Sequence, residues 1–364
     1  MDAEGGWRLG QRPQLDTLRA VAVLLVVAAH AEVLPGPAGT VGVTMFFTLS
    51  GFLITALLLE ERTRHGRISL SRFYVRRARR LLPALALFVT CVGFVAMISE
   101  RATQLTLRDF AGVLFYVGNF TTGMQGRDNS LLHLWSLSVE EQFYIIWPCI
   151  LIVVLAVSRG RVAPLLAVAG LASMTAFGLR VWLWDDGAGA LRVYFGTDTR
   201  MDSLLIGCMA AMWMHGRHAG RNRPLVAGAL IVGAGMCSLA DVETAVIALP
   251  AVVAALTALA TLCLVQQPST GLFVWRPLVL VGRRSYALYL WHLPLVGTAV
   301  SMPTASKWPA LAIAALLTAA IVHLSWRCVE EPFLRRSDRD QHPRTPPLRA
   351  QGAPAPVARA HHRR

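Results

Sequence analysis

Residues 15–30 read LDTLRAVAVLLVVAAH. Apart from Asp16, Arg19 and His30, this run is almost wholly apolar, as a helix that crosses a bilayer must be for about 20 residues. Of the 364 residues in the chain only 15% are charged, whereas soluble domains carry about 25%. The mean hydropathy is +0.50. This composition excludes an ordinary cytosolic enzyme and indicates a protein embedded in a membrane.

Further apolar runs follow the first, so we predict an all-α fold, a polytopic membrane bundle of about ten transmembrane helices. The predicted spans are 17–34, 41–59, 81–98, 142–157, 163–182, 201–215, 225–240, 245–265, 285–300 and 309–327. The apolar segment 107–120 is too short to span a bilayer. It indicates a re-entrant or interfacial helix.

The placement of arginines predicts the orientation of the bundle and its boundaries. Arginines are concentrated in alternate loops, which under the positive-inside rule puts both termini in the cytoplasm. Two more spans within 99–140 would keep this orientation, so twelve spans stay open. We predict a short cytoplasmic N-terminus at 1–14, a membrane domain at 15–336 and a disordered cytoplasmic tail, rich in arginine and proline, at 337–364.

The net charge of +14 raises the question of a nucleic-acid partner. The arginines alternate with apolar spans rather than forming a separate basic domain. We therefore predict no nucleic acid and a lipid bilayer as the surroundings. The six cysteines form no C-x-x-C pair and fall in or beside apolar runs. They indicate small buried side chains, and we predict no metal site.

Arg19 and His30 stand eleven residues apart in the first span. Eleven residues at about 100° each return to nearly the same helix face, and at about 1.5 Å per residue they lie about 16 Å apart along the axis. Ionisable residues inside a span are costly and indicate function by default. Alternatively, Arg19 extends to the inner surface beside Asp16, and His30 only caps the outer end of the helix.

Four arginines form a double pair at the start of the third predicted span. Arg76 and Arg79, and likewise Arg77 and Arg80, are three residues apart and share a helix face. Paired guanidinium groups suit a ligand that is rich in phosphate. Ordinary anchoring of a basic loop to anionic lipid is the alternative.

The entrance to the predicted span 142–157 carries His133, Trp135, Glu140 and Glu141. Two adjacent carboxylates beside a histidine and aromatic rings are too polar for contact with lipid. We predict that they bind sugar-like hydroxyls or orient a base. An aromatic belt at the membrane interface is the plainer alternative, and it leaves the two carboxylates without a role.

Another polar group lies in the predicted span 285–300. Ser285, Tyr289 and His292 fall at i, i+4 and i+7, which makes one stripe along a helix, with Tyr286 beside it. Within a membrane such a stripe must face protein or water. It indicates either a binding surface or hydrogen bonds between helices.

Together these segments resemble the membrane acyltransferase family 3, the integral-membrane O-acyltransferases of bacterial surface glycans and some natural products. Motifs in the family's order extend over about residues 14–334. They are Arg19–His30, Phe46–Ile54 with the Ser50-Gly51 pair that permits close helix approach, Arg76–Arg80, His133–Tyr144, Arg200–Gly207, Ser285–Pro294 and Glu331-Pro332. Longer members carry an appended soluble hydrolase-like domain. The given sequence departs from them by showing none, so we expect a stand-alone acyltransferase here.

The resemblance implies transfer of an acetyl or other short acyl group from acyl-CoA to a hydroxyl of a glycan, glycolipid or macrolide-type natural product. Acyl-CoA would be a co-substrate, with no permanently bound cofactor. His30 would be the general base, and Arg19 would position CoA or stabilise negative charge. Glu141 would orient the imidazole, although Glu32 or Glu140 would serve equally. The expected CoA-binding residues are Arg76, Arg77, Arg79 and Arg80, and the expected substrate-binding residues are Glu140, His133, Trp135, Ser285, Tyr286, Tyr289 and His292.

A transporter or flippase of a glycan or small solute is the alternative function. A polar stripe inside a bundle of about ten spans also describes a path for a solute. This alternative predicts movement of the substrate without covalent change, and it leaves the paired arginines without a role. The sequence shows no inverted symmetry of broken spans, which weakens the alternative.

Overall fold

The computed structural model describes residues 8–10, 12–99, 105–267, 271–303 and 306–333, and this part of the chain is helical. The predicted tail at 337–364 and part of the predicted segment 1–14 lie outside the described residues. Fourteen α-helices occur in the described part. They are α1 (Pro13–His30), α2 (Pro37–His65), α3 (Leu70–Ile98), α4 (Leu107–Leu114), α5 (Trp135–Val157), α6 (Val162–Asp185), α7 (Ala190–Phe195), α8 (Thr197–Met214), α9 (Pro224–Met236), α10 (Val242–Ile247), α11 (Leu249–Leu264), α12 (Arg276–Arg283), α13 (Ser285–Val300) and α14 (Trp308–Ser325).

Each of the ten predicted spans overlaps one of these helices. Within the described ranges, six segments are long and apolar enough to cross a membrane, namely those containing α1, α2, α3, α5, α6 and α14. The other predicted spans correspond to α8, α9, α11 and α13. Of these, α9 and α11 have only 13 and 16 residues, and α8 carries Asp198, Arg200 and Asp202. The structure is that of a multi-pass membrane protein, whereas the count of ten and the cytoplasmic termini stay predictions.

The central helix is α2, which contacts α1, α5, α8 and α11. It crosses α8 at two glycines, each of which faces the backbone of the other helix. A Cβ atom at Gly51 would lie 1.9 Å from the carbonyl oxygen of Leu204, and one at Gly207 would lie 1.9 Å from that of Thr48. Glycine at both positions therefore permits direct backbone contact, as small residues do in membrane bundles.

Another glycine sets α12 against the start of α1. A Cβ atom at Gly282 would lie 1.7 Å from the carbonyl oxygen of Asp16. The carboxylate of Asp16 also pairs with Arg283 at 3.2 Å. Because α13 begins at Ser285, immediately after this contact, its first turn lies beside Arg19 on α1.

The segment predicted as a short helix at 107–120 contains α4, and its end overlaps a π-helical turn at Asn119–Gly123. The buried carboxylate of Asp109 accepts hydrogen bonds from Thr106 Oγ1 at 2.7 Å, Thr122 Oγ1 at 3.1 Å and Arg127 Nη2 at 2.8 Å. Burial opposes the ionisation of Asp109, but these hydrogen bonds outweigh it and hold its pKa below the ordinary value. They tie the segment together just before it leads into His133.

Candidate active site

Two cavities lie along α1, one beside Arg19 and the other beside His30. The first, which we call the arginine cavity, has a volume of about 180 Å³. Its polar lining side chains are Arg19, Ser50, Arg77, Arg80, Ser136, Glu140, Tyr144, Ser285, Tyr286 and Tyr289. The second, the histidine cavity, has a volume of about 270 Å³. Its polar and aromatic lining side chains are His30, Asp128, His133, Trp135, Tyr194, Phe195 and Tyr289.

The two cavities adjoin. Val43 of α2 and Tyr289 of α13 belong to the walls of both. Arg19 lies on the arginine side of these residues and His30 on the histidine side, as expected from two residues on one face of α1. Helix α1 therefore extends from the arginine cavity to the histidine cavity.

The imidazole of His30 is held by two contacts through the same nitrogen. Nδ1 lies 2.8 Å from the carbonyl oxygen of Val26 and 3.4 Å from Nε2 of His292. Because a carbonyl can only accept a hydrogen bond, Nδ1 of His30 carries the proton. In the neutral ring Nε2 then holds the lone pair, so it is the atom that can take a proton.

His292 and His133 continue this arrangement. Nδ1 of His292 donates to the carbonyl oxygen of Tyr289 at 2.7 Å, and Nε2 of His133 donates to that of Leu290 at 3.2 Å. The ring centroids of His30 and His292 are 5.1 Å apart, and those of His292 and His133 are 5.2 Å apart. His133 is part of the wall of the histidine cavity, whereas His292 is not part of that wall and contacts His30.

Arg19 is held at the wall of the arginine cavity by the start of α13. Its Nε and Nη2 atoms donate to Ser285 Oγ at 3.2 and 3.0 Å. The guanidinium also lies 5.8 Å from the ring centroid of Phe46. Of the predicted stripe on α13, Ser285 therefore lines the arginine cavity and Tyr289 lines both cavities.

The four paired arginines do not stay together. Arg77 and Arg80 line the arginine cavity, whereas Arg76 and Arg79, which are also described, are not part of its wall. Arg76 instead lies 3.7 Å from the carboxylate of Glu61 on α2. A three-residue spacing on α3 thus correctly puts Arg77 and Arg80 on one face, and only that face meets the cavity.

The two adjacent carboxylates also separate. Glu140 lines the arginine cavity. Glu141 accepts hydrogen bonds from Nε of Arg77 at 2.9 and 3.1 Å, and the same guanidinium lies 3.4 Å from the ring centroid of Tyr144. Glu141 therefore orients Arg77, and the contacts that orient the imidazole of His30 come from Val26 and His292.

The remaining predicted site residues lie at the walls. Trp135 lines the histidine cavity, and Tyr286 lines the arginine cavity and donates to the carbonyl oxygen of Leu81 at 3.2 Å. Sequence reasoning missed Val43, Tyr194 and Asp128. Nothing in their local sequence marks them, because they come from α2, α7 and a loop that meet only in the folded bundle. Among the described residues, no three His, Cys, Asp or Glu side chains are grouped to hold a metal ion.

Comparison with known proteins gives the family. The family model Acyl_transf_3, described as an acyltransferase domain, matches residues 12–327. The putative peptidoglycan O-acetyltransferase YrhL of Bacillus subtilis is 33% identical, with 88% of this chain and 54% of that protein aligned. The O-acetyltransferase OatA of Staphylococcus aureus is 32% identical, with 89% and 57% aligned.

The peptidoglycan O-acetyltransferase OatA of Listeria monocytogenes is also 32% identical, with 88% of this chain and 55% of that protein aligned. The chain thus spans little more than half the length of these curated relatives. No solved structure matches it significantly. Because the family model covers nearly all of the described bundle, including both cavities, the chain belongs to the acyltransferase family Acyl_transf_3.

Proposed function

We propose that this protein is a membrane O-acyltransferase that moves an acetyl or other short acyl group from acyl-CoA to a hydroxyl of a glycan. Peptidoglycan is named in the descriptions of two of the relatives, which favours a glycan over a glycolipid or a macrolide-type product. The membrane would be the bacterial plasma membrane, with the acyl-CoA supplied from the cytoplasm. A multi-pass helical fold and the family support this assignment.

The observation that carries the proposal is that the arginine cavity and the histidine cavity adjoin at Val43 and Tyr289. A transferase that joins an anionic donor to an acceptor with hydroxyl groups needs a cationic site for the phosphates of the donor. It also needs a base where the acceptor hydroxyl meets the acyl carbon. The two cavities offer these two environments on one face of α1, between Arg19 and His30.

The donor would lie with its phosphates toward Arg77 and Arg80. Both guanidiniums line the arginine cavity, and Arg77 is already oriented by Glu141 and the ring of Tyr144. Oriented guanidiniums bind phosphate strongly because their N–H groups match its oxygens. The pantetheine arm would then extend along α1 past Arg19, and the thioester would reach the junction at Val43 and Tyr289.

The transfer step uses the neutral ring of His30, in which Nε2 carries the lone pair. The acceptor hydroxyl, lying in the histidine cavity, gives its proton to Nε2 of His30 as its oxygen attacks the thioester carbon. The new ester bond forms and the carbon–sulfur bond breaks. The proton then passes from His30 to the departing CoA thiolate. The contacts of Nδ1 with Val26 and His292 fix the tautomer in which Nε2 of the neutral ring carries the lone pair.

The function is tested with the purified full chain in nanodiscs, using labelled acetyl-CoA and a peptidoglycan disaccharide. We expect release of free CoA that depends on the disaccharide, with label transferred to the sugar. If the protein neither binds nor consumes acetyl-CoA, the proposal is wrong. Movement of the unmodified disaccharide across proteoliposomes would then identify the transporter alternative.

The two faces of the arginine cluster provide a matched pair of variants. Arg80→Gln removes a cation from the wall of the arginine cavity, whereas Arg76→Gln removes one that faces Glu61 outside that wall. Loss of one charge-assisted hydrogen bond to phosphate should raise the KM for acetyl-CoA about tenfold. We expect this increase for Arg80→Gln and less than about a twofold change for Arg76→Gln. The KM is measured by titration of acetyl-CoA. Equal increases in KM for the two variants would mean that only the overall charge of α3 matters.

A further inference from the structure

His133, whose side chain is part of the wall of the histidine cavity, has a ring nitrogen that the transfer step does not use, Nδ1. The side chain is only 3% exposed and forms part of the cavity wall. Within the described residues, Nδ1 has no hydrogen-bond partner. A buried polar atom that lacks a partner is unfavourable, so such atoms in functional cavities point to a ligand group that completes them.

The protonation of His133 determines which kind of group is needed. Nε2 lies 3.2 Å from the carbonyl oxygen of Leu290 and therefore carries the ring proton. Nδ1 of the neutral ring is then an acceptor that needs a donor. A second proton on this ring would create a buried cation whose centroid is 5.2 Å from that of His292. The ring is thus expected to accept, not donate, at Nδ1.

Two of the neighbouring donors are already engaged. The hydroxyl of Tyr289 donates to the backbone carbonyl oxygen of His133 at 2.7 Å. Nδ1 of His292 donates to the carbonyl oxygen of Tyr289 at 2.7 Å. On its other side His133 meets the edge of the Phe88 ring, which offers no polar hydrogen. No described group donates to Nδ1, and the wall position of His133 makes a ligand in the histidine cavity the donor that we consider.

We propose that Nδ1 of His133 accepts a hydrogen bond from a second hydroxyl of the acceptor, one that is not acylated. This inference rests on the proposed function and deepens it. His30 takes the proton of the reacting hydroxyl, and His133, on the same cavity wall, binds another hydroxyl of the same molecule. The histidine cavity then selects a polyhydroxylated acceptor such as a sugar over an alcohol with a single hydroxyl. His133 would also influence which hydroxyl of the sugar meets His30.

Two variants separate this role from a structural one. His133→Phe keeps a flat ring among Phe88 and Tyr289 but has no acceptor. His133→Asn puts an amide oxygen near the position of Nδ1. Both lose the hydrogen bond from Nε2 to Leu290, so the cost of that loss is common to the two. The variants differ in that only His133→Asn has a hydrogen-bond acceptor near the position of Nδ1.

The experiment compares kcat/KM for a peptidoglycan disaccharide and a set of its monodeoxy analogues, each of which lacks one hydroxyl that is not acylated. The wild-type protein should prefer the parent sugar over one analogue by about tenfold, the value of one hydrogen bond. His133→Phe should reduce this preference to about one, and His133→Asn should retain most of it. An unchanged preference in His133→Phe, or an equal fall for every sugar in both variants, would overturn the inference.

A binding measurement keeps this inference distinct from the proposed function. Saturation-transfer NMR with the disaccharide and the same analogues, without acetyl-CoA, reports the hydrogen bond without turnover. If CoA is never released but the binding preference depends on His133 in the same way, the chemistry is wrong and the sugar site stands. If CoA is released while neither turnover nor binding depends on His133, the sugar site is wrong and the chemistry stands.

Discussion

Replacement of His30 by alanine is expected to lower acyl transfer by about 100- to 10,000-fold, the usual contribution of a general base. Nε2 of His30 is the only atom of this ring free to take a proton, because Nδ1 is committed to Val26 and His292. The measurement is the disaccharide-dependent release of CoA in nanodiscs. The KM for acetyl-CoA should change little, because the expected phosphate site, with Arg77 and Arg80, lies in the other cavity.

The matched control is His65→Ala, at the exposed C-terminal end of α2. This variant should keep the activity and the thermal stability of the wild-type protein. If His30→Ala retains substantial turnover, His30 is not the base. A label that stays on the protein when acetyl-CoA is added without acceptor, and that is lost in His30→Ala, would instead indicate a covalent acyl-histidine.

Replacement of Gly207 by alanine is expected to destabilise the bundle by about 3 kcal/mol or more, at the upper end of what overpacking costs. The new Cβ atom would lie 1.9 Å from the carbonyl oxygen of Thr48 and 2.9 Å from the backbone nitrogen of Phe52. Backbone atoms of α2 cannot rotate away as a side chain can, so α8 would have to move outward. Thermal unfolding in detergent should show a clear decrease in Tm.

Gly178 provides the comparison, because it also lies within a helix and a Cβ atom there would meet nothing within 4 Å. Gly178→Ala should leave the Tm unchanged or raise it slightly, since alanine favours helix by up to about 1 kcal/mol. Equal stability of Gly207→Ala and the wild-type protein would show that α2 and α8 do not cross as closely as described. The same outcome would also contradict the described walls of the two cavities, because α2 forms part of both.

Much of the local arrangement could be predicted from the sequence. The spacing of Arg19 and His30 predicted a common face of α1, and both side chains contact α13. The spacing of Ser285, Tyr289 and His292 predicted a polar stripe on α13, and the three side chains contact Arg19, Ser136 and His30. The Ser50-Gly51 pair correctly predicted a close helix approach. The two predictions from spacing depend only on the regular geometry of one helix, in which residues three, four, seven or eleven positions apart share a side. The prediction from Ser50-Gly51 depends only on the small size of these residues.

The partners of these residues could not be predicted in the same way. Which two of the four arginines on α3 face the cavity depends on how α3 is rotated against its neighbours. The pairing of Glu141 with Arg77 joins residues 64 positions apart, and the contact between His30 and His292 joins residues 262 positions apart. No local pattern encodes such distances along the chain.

The sequence by itself determined that this protein is a helical membrane protein of an acyltransferase family, with Arg19 and His30 on one face of its first helix. These properties depend on hydropathy, helical periodicity and motif order, which are properties of short segments. Only the tertiary structure decided that the arginine and histidine cavities adjoin at Val43 and Tyr289. It also decided which ring nitrogen of His30 and which of His133 is engaged by a backbone carbonyl. Both depend on the crossing of helices far apart in the chain, where close approach at glycines and hydrogen bonds to specific carbonyls set the positions.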